Sequence, residues 1–224
     1  MLEELGIYLV RKVLEFFVKK YDLKDNRDGL DFVAKKLDSK NQLYTESKKK
    51  MTLKEKLIEE LIDREGGYVH NSKDKGGATK YGITLKTALK HGYIGDIRKL
   101  PLSKAKEIYS TTYWDTNNLD RVVELSPNIA REVFDTGVNM GVGTAGKFLQ
   151  RCLNLLNKTK IKVDGVVGDK TINALSSFLQ KRKKDGEETL LKCLNSLQGA
   201  KYIALAEKDP SQREFIYGWL RNRV

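Results

Sequence analysis

Apolar residues recur along this chain at intervals of three and four, and sustained strict alternation is rare. Leu2, Leu5, Leu9, Val13, Phe16 and Phe17 hold that interval and predict an amphipathic helix. Leu30, Val33 and Leu37 form a weaker stripe and predict a second one. The run Ser47-Lys48-Lys49-Lys50 then interrupts the pattern and reads as a linker, so residues 1–50 are expected to be an N-terminal helical extension. Acidic and basic residues mix on its polar face, which favours docking in cis over a membrane surface.

The clearest helix is predicted over 52–65. Thr52 and Glu55 have capping-box spacing, and Leu53, Leu57, Ile58, Leu61 and Ile62 set the inward face. Residues 66–84 are rich in Gly, Asn, Asp and Thr and read as loop or short extended structure. A helix near 84–91 ends at Gly92, and another follows Pro101 with Ser103 as candidate cap. Pro127 suits the first turn of a helix through "NIAREVFDTGVNM". Further helices are expected from about Thr144 to Leu156, after the turn "VDGVVGD", and over about 187–207. The closing "EFIYGWLRNRV" is expected to pack Phe215, Tyr217 and Trp219 against the body.

Three prolines in 224 residues and the long Lys/Glu/Leu-rich runs agree with a mainly α chain. No stretch has the ~20 uncharged apolar residues of a membrane span, so stable membrane insertion is not expected. The N-terminal apolar stretch is broken by Arg11, Lys12 and Glu15 and does not read as a signal peptide, so action in the cell wall or periplasm would need another release route. The net charge is +12; residues 1–50 carry 12 Lys and Arg against 9 Asp and Glu, a surplus of 3, which leaves +9 on residues 51–224. Such a field suits a polyanionic partner. No zinc-finger, basic-zipper or RNA-binding signature accompanies it, so nucleic acid is not the expected partner. Cys152 and Cys193 lie in helical patterns and read as two ordinary thiols rather than a disulfide. No metal-ligand spacing or phosphate-cradling glycine motif is present, and no cofactor or metal is called for.

One stretch departs from ordinary patterning. In "IDREGGYVHNSKDKGGATKYGIT", two Gly-Gly pairs are set around Glu65 and Asp74. Stepping back from Glu65 by fours meets Leu61, Leu57 and Leu53, which places Glu65 on the buried face in the last turn of its helix. Burial and the negative helix end both oppose its charged form, as a general acid requires. Asp74, in a polar loop, would stay ionised; two carboxyl groups in opposed environments are the pair that glycoside hydrolysis uses. The Thr79 hydroxyl is a candidate for positioning water. Tyr68, Tyr81, Tyr113 and Trp114 are candidates for stacking on sugars, and Asn139 for hydrogen bonding to them. Asp135 reads equally as a groove carboxylate or a structural cap.

The segment "EGGYVHNSKDKGGATKYGIT" resembles the signature of the glycoside hydrolase family 108 N-acetylmuramidases, found in phage endolysins and secretion-associated lysozymes. The likeness continues through "AKEIYSTTYWD", "FDTGVNMGVGTAGKFLQ", "VDGVVGDKTINAL" and "YGWLRNRV", over about residues 51–224. It implies a lysozyme-like, mainly α fold with a glycan-binding groove and places the catalytic acid on Glu65. Asp74 falls where phage-type lysozymes carry their second carboxylate, and Thr79 one residue short of their threonine. The implied organisation is a catalytic region over 51–145 and a peptidoglycan-binding-like helical region over 146–224 in the same globular body. The expected activity is cleavage of the β-1,4 bond between N-acetylmuramic acid and N-acetylglucosamine by a monomer acting on peptidoglycan glycan strands. Alternatives are a lytic transglycosylase on the same bond, or a non-catalytic wall-binding or secretion-assisting module.

Overall fold

The computed structural model describes residues 51–69, 78–158 and 160–224. The predicted N-terminal helices and Asp74 lie outside them. Helix α1 (Leu53–Glu65) starts as its sequence requires: Thr52 Oγ1 accepts from the Glu55 amide at 3.2 Å, and the Glu55 carboxylate accepts from the Thr52 amide at 2.8 Å. Leu57, Ile58, Leu61 and Ile62 are its buried face. The helix stops on Gly66, at φ 74°, whose amide donates to Ile62 O at 3.1 Å.

A small antiparallel sheet follows, in the order β1 (Tyr68–Val69), β2 (Thr79–Lys80), β3 (Ile83–Thr84). Tyr68 stands opposite Lys80 and Val69 opposite Thr79; Thr79 and Lys80 in turn face Thr84 and Ile83. The two-residue loop Tyr81-Gly82 joins β2 to β3 with both φ angles positive, 53° and 70°, the combination that matches strand twist in tight hairpins.

The remainder is helical: α2 (Leu85–Lys90), α3 (Leu102–Tyr109), α4 (Leu119–Leu125), α5 (Pro127–Met140), α6 (Val142–Asn157), α7 (Asp169–Lys208) and α8 (Arg213–Arg223). Helix α3 begins directly after Pro101, so Ser103 lies inside it and is not the expected cap. It runs into a π-turn, Ser110–Trp114. Ser126 caps α5 by accepting from the Ile129 amide at 3.0 Å, with Pro127 in the first turn. The two helices expected after "VDGVVGD" and near 187 form one long element, α7, broken only at Lys183.

Helix α5 packs along α6 and α6 along α7. One apolar core runs through them from Leu57 and Leu61 of α1, across Ile129, Val133 and Leu149, to Leu175 and Leu194 of α7. Gly146 lets the 164–168 loop touch α6 backbone to backbone, since a Cβ there would stand 2.2 Å from Gly165 O. Buried Gln150 ties that loop down, donating to Asp164 Oδ1 and Val166 O at 3.0 Å and accepting from Gly165 N at 2.8 Å. Asp164 and Asp169 thus serve the loop and helix start, Asp169 pairing with Arg121 at 2.7 Å. At the C-terminus only part of the expected packing forms. Trp219 stacks on Tyr202 at 4.9 Å, but Phe215, stacked on Trp219 at 5.9 Å, is 48 % exposed and Tyr217 is 74 % exposed. Both thiols are free; Cys152 is buried beside Cys193, and burial first, then that neighbour, pushes its pKa up.

Candidate active site

Glu65 is the last residue of α1, and the chain reverses immediately beyond it. The Tyr81 amide donates to Gly67 O at 3.3 Å, which draws the β2–β3 loop back against the helix end. Gly82 then lies directly beneath the glutamate: a Cβ on it would stand 2.6 Å from Glu65 Oε2 and 2.8 Å from Tyr109 Oη. The two oxygens therefore converge over a residue that has no side chain. Tyr109 Oη donates to Tyr81 O at 2.6 Å, so the same hydroxyl pins the loop.

Glu65 is solvent-exposed, which corrects the expectation of burial. The α1 face that buries Leu57 and Leu61 runs out of apolar core at its last turn, where Glu65 meets Gly82 and Tyr109 and stays exposed. The apolar side of the site comes from elsewhere. Tyr109, at the end of α3, is buried, and the π-turn carries Tyr113 onto the same side, their rings 5.9 Å apart. Burial raises the pKa of both phenols, and the Glu65 charge adds to the effect in each. They remain neutral hydrogen-bond donors at physiological pH.

Among the aromatic candidates near this point, Tyr68 on β1 is 44 % exposed, and Tyr81 in the tight loop and Tyr113 are half-buried. The Lys80 ammonium lies 5.2 Å from the Tyr81 ring centroid and donates to Arg98 O at 2.8 Å. Thr79 is half-buried in the central strand. Trp114 is not a groove residue: it is 1 % exposed, donates from Nε1 to Asp120 Oδ1 at 2.7 Å, and packs on Phe134. Both residues lie in the π-turn, which has Trp114 in the core and Tyr113 partly open. Asn139 is exposed, with its amide nitrogen directed at Asp135 O, 2.7 Å away. Asp135 is a structural acid, paired with Arg223 at 2.8 Å and accepting from Gln198 at 3.3 Å.

Sequence reasoning passed over Tyr109 and Gly82. The hydroxyl partner of Tyr109 lies 28 residues away, so no local pattern marks it. The Tyr-Gly pair did carry a signal, as two residues between short β-prone runs with glycine second. Among the described residues no group of three or more His, Cys, Asp or Glu is placed to hold a metal ion.

Comparison with known proteins divides the chain in two. Residues 58–141 match the family described as glycosyl hydrolase 108, and residues 144–224 match the predicted peptidoglycan domain. A solved structure of SagA from Brucella abortus is similar at 24 % sequence identity and a TM-score of 0.49, over 75 % of this chain and 96 % of that one. No curated protein matches the chain.

Proposed function

We propose a specific bond and mechanism on the premise that residues 58–141 belong to the glycosyl hydrolase 108 family and residues 144–224 to the peptidoglycan domain, which makes the chain a peptidoglycan hydrolase of the glycosidase class. The bond is the β-1,4 linkage between N-acetylmuramic acid and N-acetylglucosamine. Glu65 is the general acid that protonates the glycosidic oxygen as the bond to the anomeric carbon breaks. Asp74 is the second carboxylate, activating water or stabilising the charge that develops on the sugar ring. Thr79 helps position the water, and Tyr68 and Tyr81 offer ring faces to sugars.

The observation that carries this reading is the placement of Glu65 Oε2 at an open helix end, over Gly82 and beside the Tyr109 hydroxyl. A carboxyl group there is exposed and has an apolar, hydrogen-bonding wall of Tyr109 and Tyr113 beside it. The +9 on residues 51–224 favours a wall polymer that bears carboxylates and phosphates. Action at the cell wall follows from the substrate, and none of the described helices is long and apolar enough to cross a membrane.

Release of reducing ends from purified peptidoglycan is the direct assay. Glu65→Gln is expected to lower kcat by roughly a hundredfold or more, the usual contribution of a positioned acid. Unchanged turnover would overturn the assignment. Mass spectrometry of the products separates hydrolysis, which leaves a reducing muramic acid end, from transglycosylation, which leaves an anhydro sugar.

A further inference from the structure

A concave site lies beside Arg64. It is a cavity of about 790 Å³ between the last two turns of α1, the middle of α5, α7 and the end of α8. Its polar lining includes Glu60 and Arg64 from α1, Glu132 and Asp135 from α5, and Asn195 and Arg221 from α7 and α8. The acids are engaged to different degrees. Asp135 is held by Arg223, whereas Glu60 meets Arg131 only at 3.6 Å. Glu132, on the inner wall, accepts a long 3.3 Å bond from Thr136, and with the Asn195 amide nitrogen turned toward it the separations are 3.1 and 3.2 Å. Arg64 and Arg221 are exposed and make no ion pair among the described residues. Among the described residues the cavity thus offers guanidinium forks without an ion-pair partner and partly engaged carboxylates together, the donor set for a zwitterionic peptide rather than for a simple anion.

Peptidoglycan supplies such a ligand at a fixed distance from the scissile bond. Each muramic acid bears a stem peptide on its lactyl group, with free carboxylates and a diamino acid amine. A glycosidase that acts beside muramic acid must accommodate that peptide. Glu60 lies five residues before Glu65 on the same helix, about 7.5 Å along its axis at ~1.5 Å per residue. An extended stem of four residues reaches about 13 Å. Glu60 is also about 140° around the helix from Glu65 at ~100° per residue, so the stem reaches the cavity by way of Arg64, which lines it and is the neighbour of Glu65 on α1.

The geometry points to this cavity as the subsite for the stem peptide of the substrate, with Arg64 and Arg221 taking its carboxylates and the Glu132 side taking its amine. The inference rests on the muramidase reading above and adds a specificity that reading does not contain: the enzyme distinguishes peptide-bearing strands from bare ones.

Three probes test it: peptide-bearing glycan strands, the same strands stripped of peptide by an amidase, and a free alanyl-isoglutamyl-diaminopimelyl-alanine tetrapeptide. The wild type is expected to show a lower KM for peptide-bearing strands. Arg64→Ala and Arg221→Ala together are expected to raise that KM about tenfold, the usual scale for lost charge-assisted hydrogen bonds, and to leave KM for stripped strands in place. Titration calorimetry on the Glu65→Gln protein is expected to detect the free tetrapeptide, with weaker binding once Arg64 and Arg221 are replaced. Equal KM values for the two strands in the wild type, or equal losses on both in the double variant, would overturn the subsite. If neither strand is cleaved, the muramidase reading fails by itself, and tetrapeptide binding then decides the subsite independently: retained Arg-dependent binding supports it and no binding sinks it.

Discussion

Gly82 has no side chain, and Glu65 and Tyr109 occupy the space one would take. An alanine there meets two penalties. At φ 70° the backbone resists a Cβ, at about 1–2 kcal/mol, and the methyl group would stand 2.6 Å from the Glu65 carboxylate. Gly82→Ala is therefore expected to lose most peptidoglycan-hydrolysing activity while costing only a small part of global stability, measured as kcat beside a urea midpoint. Loss of both in proportion would mean that the residue serves folding alone. Much of this was not visible residue by residue. The glutamate at the helix end and the glycines after it stand out in one dimension, but exposure of Glu65 and burial of Trp114 depend on what packs behind them. Helical spacing from Leu57 and Leu61 assigns Glu65 to the inward face correctly as an angle, and it says nothing about where the core ends.

Local chemistry set the helix starts and stops well where a side chain answers to its own backbone. The Thr52–Glu55 box, Ser126 with Pro127, and the stop on Gly66 are interactions within four residues, and all three form. Ser103 failed because Pro101 already fixes the entry into α3. The break in α7 is of another kind. Lys183 sits at φ 54° and ψ −139°, a conformation disfavoured for any residue with a Cβ, between two otherwise helical runs. Glycine at this position is expected to stabilise the protein by about 1 kcal/mol, read as a higher urea midpoint for Lys183→Gly. A lower midpoint would show that the lysine side chain compensates for its backbone.

Across the whole molecule, the 790 Å³ cavity brings α1, α5, α7 and α8 to one place, and its inner acid titrates near neutrality. Burial, and next the Asp135 charge, push the Glu132 pKa up to about 7, well above the usual carboxylate range. A carboxyl group with a raised folded-state pKa favours the folded protein most below its unfolded pKa, and that advantage is lost as pH rises through the folded value. Wild type is thus expected to lose about 3 kcal/mol relative to Glu132→Gln between pH 4.5 and 7, with little further change above. Paired thermal melts across that interval check it; a flat difference would place Glu132 in an ordinary aqueous setting. The mainly α architecture was legible from apolar spacing, since it reflects many positions together. The cavity was not, because its walls run from Leu57 to Val224 and come from segments far apart in the chain.

The contact between Arg223 and Asp135 has a consequence for how such an enzyme diversifies. One partner is the next-to-last residue of the sequence, within the peptidoglycan-domain match, and the other lies in the hydrolase match. Both matches also share one apolar core. Wall-recognition parts joined by a linker can be exchanged between hydrolases with the catalytic part left intact. Here a graft at residue 142 would sever an ion pair and expose the faces of α5 and α6 to water. The segment matching the peptidoglycan domain and the segment matching the hydrolase family must change together, substitution by substitution, so a shift in target specificity is expected to be inherited as a gradual drift of the whole body rather than as a swap of parts.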